Sequence, residues 1–264
     1  MNLKPQLLQI SLILGRGITH LLNTIGGLSQ LVGEIFAVLF KRSMEFGAVL
    51  RQFEFVGVRS FGLVGIISVF TGMVLSLQFI VGLSRFGLEI YTGQIVGVSI
   101  TRELGPVLTA LMIAARAGAG ITAELGSMAI TEQILAIEAM GADPIQKLVI
   151  PRVIATTLCT PLLTVMGDFL GILGGMVVSS VETGTGSQFF LNQITQAVEL
   201  YDFGSGVGKS FFFGFFIGVI ACYQGMNTRG GGAGVGISTT QSVVVAAITI
   251  FVSDFFLTKL FLLF

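Results

Sequence analysis

The stretch from Phe61 to Leu83 constrains this chain more than any other, because it lies between Arg59 and Arg85 and holds no ionisable side chain. About 20 apolar residues in a helix cross the hydrocarbon of a bilayer, and a helix satisfies its own backbone there. The rest of the composition agrees. The chain is 53% hydrophobic and 11% charged, against about 25% charged in an ordinary soluble domain, so lipid rather than water is the solvent for most of its surface.

The gaps between charges define five spans, over about 61–83, 91–115, 153–181, 206–225 and 242–264. The expected fold class is therefore all-α: a polytopic membrane protein with an N-terminal interfacial amphipathic helix (segment 1–55) and a five-span domain (56–264). If the N-terminus is cytoplasmic, that side collects Lys4, Arg16, Lys41, Arg42, Arg51, Arg59, Arg116, Lys147, Arg152 and Arg229. The opposite loops hold Arg85 with Glu89, then a segment from Glu182 to Asp202 with acids and no Lys or Arg. The positive-inside rule then places the N-terminus in the cytoplasm and the C-terminus outside it.

Several function classes are disfavoured. Fourteen Lys and Arg balance fourteen Asp and Glu, which leaves no net field to recruit nucleic acid. Cys159 and Cys222 stand singly in apolar stretches, without the paired spacing of a zinc site or a disulfide framework. His20 is the sole histidine and lies in the amphipathic N-terminal stretch, a poor foundation for a catalytic triad. The segment Gly204 to Ser210 imitates a phosphate-binding loop, but the required first glycine is replaced by Phe203.

At the N-terminus, the apolar run Leu7–Leu14 is too short to span, and Arg16 follows it without a small-residue cleavage site, so the run is expected to stay on the chain. Apolar residues then recur at Leu21, Leu22, Ile25, Leu28, Val32, Ile35, Phe36 and Leu39, one face of a helix. Such a helix lies in the membrane interface or packs on the bundle.

Four ionisable residues fall at membrane depth: Arg102, Glu103, Asp168 and Asp254. Each costs about 2.5–3.5 kcal/mol on insertion scales unless it faces protein or a water-filled cavity. Arg102 and Glu103 are adjacent, so on a regular helix they point about 100° apart, and Pro106 bends the span one turn later. Two readings stay open: a structural network pairing Arg102 with Asp168 or Asp254, or a polar wall facing a transported substrate. Between the second and third spans, Arg116 to Arg152 forms the longest stretch on the basic side. Within it Thr131–Met140 reads as a short helix with Ile134, Leu135 and Ile137 as its apolar set, stopped by Gly141 and the turn-forming Asp143-Pro144.

The run Thr101-Arg-Glu-Leu-Gly-Pro-Val-Leu-Thr-Ala, the block Ala115-Arg-Ala-Gly-Ala-Gly-Ile-Thr-Ala-Glu-Leu-Gly, and Thr131-Glu-Gln through Met140-Gly-Ala-Asp-Pro and Pro151-Arg resemble the MlaE family of lipid ABC transporter permeases, which also includes plastid lipid-import relatives. The resemblance covers about Phe61 to the C-terminus; the first sixty residues match only in character. It implies a multi-pass permease of a bacterial inner membrane that moves lipid, phospholipid in kind, as a homodimer bound to two copies of a cytoplasmic ATPase. It further implies an MCE-domain protein on the far side and a small accessory regulator. No cofactor is expected in this chain, ATP and Mg being held by the partner ATPase, so the chain itself is not expected to be an enzyme. The 131–140 segment is implied to be the helix that couples to the ATPase, with Glu132, Ile134, Leu135, Glu138, Met140, Gly141 and Asp143 as its candidate residues. The alternative function is an ion-coupled secondary transporter or a structural membrane scaffold; the absence of an inverted repeat argues against the former.

Overall fold

A computed structural model describes Leu22, residues 24–39, 46–184 and 186–263. His20, Lys4, Arg16, Lys41, Arg42 and the Leu7–Leu14 run lie outside the described residues. The described chain is helical throughout, with no strand. Five helices are long and apolar enough to cross a membrane: α2 (Phe46–Ser84), α3 (Glu89–Ile130), α5 (Ile145–Thr183), α7 (Leu200–Met226) and α8 (Gly231–Phe261). Three shorter helices complete the set: α1 (Thr24–Leu39), α4 (Gln133–Ala139) and α6 (Ser187–Ala197).

The helices are longer than the charge gaps suggest. α3 does not end near Ala115 but continues to Ile130, because Arg116 finds partners inside the bundle. Its Nη1 donates to the Phe55 carbonyl at 3.3 Å and to Ser60 Oγ at 2.9 Å, both on α2. α5 likewise starts at Ile145. Arg152, only 4% exposed, pairs with Glu124 of α3 at 2.9 Å and donates to the Leu148 carbonyl at 2.6 Å. Arg116 and Arg152 therefore belong to helices and not to a loop.

Small residues set the helix crossings. A Cβ at Gly72 of α2 would collide with the Gly171 carbonyl of α5, so the two backbones approach as only glycine permits. Gly206 of α7 meets the Thr101 carbonyl of α3 in the same way. Neighbouring residues rise together along both pairs, Gly57 with Cys159 and Gly72 with Gly171, then Gly206 with Thr101 and Gly225 with Leu125. α2 thus runs parallel to α5, and α7 parallel to α3. α8 runs back along α7, since Thr122 bonds both the Ala221 carbonyl and Ser242 while the Tyr201 hydroxyl donates to the Phe261 carbonyl. The start of α2, the helix α4 and the start of α8 consequently share one end of the bundle.

α7 forms the centre, with Phe213, Ile217, Val219, Ile220 and Cys222 buried. α8 is peripheral: its buried residues are Gly234, Ser242, Ala246 and Ile250, one narrow stripe, while Ile248, Phe251, Phe255 and Phe256 face outward. The N-terminal α1 packs on this bundle through buried Leu31 and Ile35 and through Phe36, whose ring lies 6.1 Å from that of Phe215. Its other face leaves Leu22 and Ile25 outside. Packing on the bundle, one of the two sequence expectations for this helix, is thus present along one face.

Candidate functional site

Arg102 and Glu103 stand in a π-helical turn, Ile100–Leu104, where the Gly105 amide reaches back five residues to the Ile100 carbonyl. Such turns recur at functional sites because they insert a residue and redirect side chains. Here the two neighbours splay along one face of α7. Arg102 Nε lies 3.4 Å from Asp202 Oδ1, and Glu103 Oε2 accepts from Lys209 Nζ at 2.8 Å. Asp202 and Lys209 are seven residues apart, about two turns on the same side of a helix.

Lys209 is the hub. It is 1% exposed, and its three ammonium protons go to Glu103, to the Arg102 carbonyl at 3.1 Å and to Thr258 Oγ1 at 2.6 Å. Thr258 in turn reaches Glu103 Oε2 at 3.3 Å. Asp254, one turn before Thr258 on α8, comes within 3.4 Å of Nζ. With every proton already committed, that contact is an ion pair and not an aligned hydrogen bond, which is why Asp254 Oδ1 has no hydrogen-bond partner among the described residues. The cluster joins two cations, Arg102 and Lys209, to three acids, Glu103, Asp202 and Asp254. By formal count the acids outnumber the cations by one.

Asp168 is not in this cluster. It lies between α3 and α5, 3% exposed, its Oδ1 against the backbone of Gly105 and without a hydrogen-bond partner among the described residues. The pairing of Arg102 with Asp168 or Asp254 considered from sequence is replaced by Arg102 with Asp202. The reason is geometric: the π-helical turn aims Arg102 along α7, away from α5.

At the other end of the bundle α4 hangs between α3 and α5. Glu132 enters it with a left-handed φ of 59° and Gly141 leaves it at φ 78°. The Gly141 amide bonds the Glu138 carbonyl at 2.9 Å and the Ala142 amide the Ile137 carbonyl at 3.2 Å, a glycine-terminated helix end. Asp143 Oδ1 then accepts from the Ile145 amide at 2.9 Å and starts α5. The apolar set divides. Ile134 and Ile137, three residues apart, pack against the bundle core, whereas Leu135 and Met140 are 61% and 77% exposed. Glu132 and Glu138 are exposed as well. An outward face of Glu132, Leu135, Glu138 and Met140 is thus held on an inward anchor.

The profile of the family described as "Permease MlaE" matches residues 49–260, most of the chain and all five spans but the first residues of α2 and the last of α8. The chain belongs to the MlaE permease family. It is 38% identical to a probable ABC transporter permease protein of Rickettsia bellii over 97% of this chain and 98% of that one. It is 34% identical to the intermembrane phospholipid transport system permease protein MlaE of Haemophilus influenzae, over 91% of this chain and 98% of that one. The chloroplastic protein TRIGALACTOSYLDIACYLGLYCEROL 1 of Arabidopsis thaliana is 36% identical over 88% of this chain and 66% of its own length. As a member of the family, this chain is the membrane permease of an ABC transporter and works in a system with partner proteins.

Two members of the cluster in this MlaE permease, Lys209 and Asp202, escape the sequence reading. Both sit in the first turns of α7, at the margin of an apolar run where a charge is normally solvated. The available signal is that no Lys, Arg, Asp or Glu follows Lys209 before Arg229. A cation that close to the start of a span must either reach water or be buried with a carboxylate.

Proposed function

We propose that this permease moves lipid, specifically phospholipid, between membranes, and that ATP hydrolysis on a separate cytoplasmic ATPase drives it through α4. The observation that carries the reading is an apolar groove walled by α7 and α8, the two helices that also bear Lys209 and Asp254 of the charged cluster. Between α7 and α8, Phe212, Phe216, Ile248, Val252, Phe256 and Leu257 wall a groove of ≈ 530 Å³. Asp254 shares α8 with that wall, its side chain turned to Lys209. Apolar walls suit acyl chains, and a cluster whose acids outnumber its cations suits the ammonium of a zwitterionic headgroup, with Arg102 within the same cluster for its phosphate. The Haemophilus relative, named for phospholipid transport, supports the same substrate class.

The outward set Glu132, Leu135, Glu138 and Met140 suits a protein groove, because an exposed helix anchored by Ile134 and Ile137 can transmit a push to both α3 and α5. An ATPase dimer requires two such helices, hence a second copy of this chain, and the apolar outer face of α8 suits that copy. An MCE-domain protein and a small accessory regulator complete the assembly the family implies. The side of the membrane bearing α4 is the cytoplasmic one on the charge rule. A cysteine placed at Ser187, on the opposite end, should react with an impermeant thiol reagent in intact cells, and one at Met140 should not; the reverse pattern would invert the orientation.

The function itself is tested by reconstituting the permease with its ATPase in liposomes and following a labelled phospholipid. Transfer that needs ATP, and stops with a hydrolysis-dead ATPase, is the expected result. Transfer that follows an ion gradient without ATP would replace this reading with a secondary transporter.

A further inference from the structure

Arg152 takes no part in the Lys209 cluster, yet it is buried near the start of α5. Its guanidinium is held at two points. Nη1 donates to the Leu148 carbonyl one turn back on α5, and Nη2 lies 2.9 Å from Glu124 Oε1 on α3. The first bond fixes the side chain to its own helix, so the second makes it a strut from α5 to α3. Glu124 stands six residues before α3 ends at Ile130, and Arg152 seven after α5 begins at Ile145, about 9–10 Å along each helix. The strut therefore crosses, at matching heights, the two feet from which α4 hangs. α4 has seven residues, too few for a stable helix alone, and it is entered and left through left-handed bends at Glu132 and Gly141. Two bends are two joints. A push on α4 spreads the feet or tilts the helix at its joints unless the feet are fixed to each other. A second arginine lies on the same line: Arg116, eight residues before Glu124 on α3, grips the Phe55 carbonyl and Ser60 on α2. Phe55, Arg116 and Leu148 each lie in a π-helical turn, Glu54–Val58, Ala114–Gly118 and Ile145–Val149. Helices kink at such turns, and here each turn is braced by a guanidinium.

We propose that Glu124 and Arg152 are the positioning pair of the α4 hairpin: they lock the feet of α3 and α5 together, so that displacement of α4 reaches the bundle instead of being absorbed at its two bends. This role rests on α4 being the ATPase contact. The burial of the pair suits it. An ion pair exposed at both ends is loose and screened by salt, but the Arg152 side chain is 5% exposed, and a guanidinium is a planar fork with little freedom left to lose once two of its nitrogens are engaged. The α5 end of the strut therefore cannot swing. The Glu124 side chain is 51% exposed, so its carboxylate is hydrated as well as paired, and an amide in its place opens no hole in the core. The pair can thus be broken from the α3 side with the packing around it intact. Arg116 carries the same displacement on from α3 to α2 through Phe55 and Ser60.

The test uses the full-length permease with its ATPase in liposomes and reads ATPase binding, ATP turnover, labelled-phospholipid transfer and thermal midpoint on one preparation. Glu124→Gln should leave ATPase binding and the midpoint nearly unchanged while the lipid transferred per ATP falls several-fold. Glu124→Asp, which keeps the charge on a shorter arm, should fall between the natural protein and Glu124→Gln. Arg152→Gln should lower the same ratio, and the double variant should lower it no further than the worse single one, because both changes remove one strut. Natural transfer per ATP in Glu124→Gln, losses that multiply in the double variant, or coupling that falls only in step with the thermal midpoint would each overturn the proposal. If Arg152→Gln does not fold, the order of the three side chains at position 124 decides it alone. Glu138→Lys, on the outward face of α4, separates the strut from the reading it rests on. Uncoupling by Glu138→Lys with full coupling in Glu124→Gln would keep α4 as the contact and discard the strut; full coupling in both would discard the two together.

Discussion

The Lys209 cluster and the Asp168 pocket are built against the same π-helical turn, yet they treat buried charge in opposite ways. The first brings two cations to three acids and uses every ammonium proton of Lys209. The second offers one carboxylate and neutral oxygens, with no cation from the described chain. Residues that carry their own counter-charges are bound to each other and respond strongly to truncation. A residue that has none is held in the bundle most cheaply as the neutral acid. The two also differ in place: the cluster joins α3, α7 and α8, while Asp168 faces the packed seam of α3 and α5, closed off by Gly105.

Removing the hub should produce the largest effect. Lys209→Met leaves Glu103 and Asp254 without their cation, a loss below the ~3–5 kcal/mol of a fully buried pair because 40% of the Glu103 side chain and 20% of that of Asp254 stay exposed, read as a clear fall in the thermal midpoint. Adding Glu103→Gln should recover part of that loss, since one stranded charge goes with it. A midpoint unchanged in Lys209→Met would dissolve the contrast between the two sites.

Glu103→Ala should cost less, about 1–3 kcal/mol, because Asp254, Thr258 and the Arg102 carbonyl still hold Lys209. Lipid transfer should fall further than this stability loss explains, because the cluster that ties α3 to α7 and α8 is changed. Normal stability together with normal transfer would remove Glu103 from both structural and functional roles.

Asp168→Asn should shift stability by less than about 1 kcal/mol in either direction, since the amide keeps the volume of the carboxyl and can donate to the Ile100 carbonyl beside it. A loss as large as that of Lys209→Met would mean that Asp168 has a partner in the bundle after all.

The smallest stability effect is expected at α4. Glu138→Lys lies on an exposed face and should leave the thermal midpoint within about 0.5 kcal/mol of the natural protein. ATP hydrolysis should nevertheless uncouple from lipid transfer, or the ATPase should bind less tightly. Full coupling with an intact complex would count against α4 as the contact.

Much of this architecture was legible because a bilayer imposes a coarse rule. Five apolar runs had to be helices, and Gly141 with Asp143-Pro144 marked the end of α4. Charge gaps failed at Arg116 and Arg152, where the helix continues past a cation whose partners, Ser60 and Glu124, lie 56 and 28 residues away in the chain. Long-range pairing of that kind leaves no local pattern. The same limit applied to Arg102, whose partner could be named as an acid but not as Asp202 without knowing that α7 runs parallel to α3. Leu135 looked like part of one apolar set with Ile134 and Ile137, yet a seven-residue helix has only one inward stripe, and the set had one member too many.

The central claim, that the groove and its charged cluster handle lipid for an ATP-driven permease, is tested most directly by blocking the groove without touching the cluster. Val252 lines the groove and is 53% exposed, so Val252→Trp adds bulk there while leaving Lys209 and its partners in place. Labelled-phospholipid transfer by the permease and its ATPase in liposomes should drop several-fold in Val252→Trp, with thermal midpoint and ATPase binding unchanged. ATP-driven transfer at the natural rate in that variant would contradict the account.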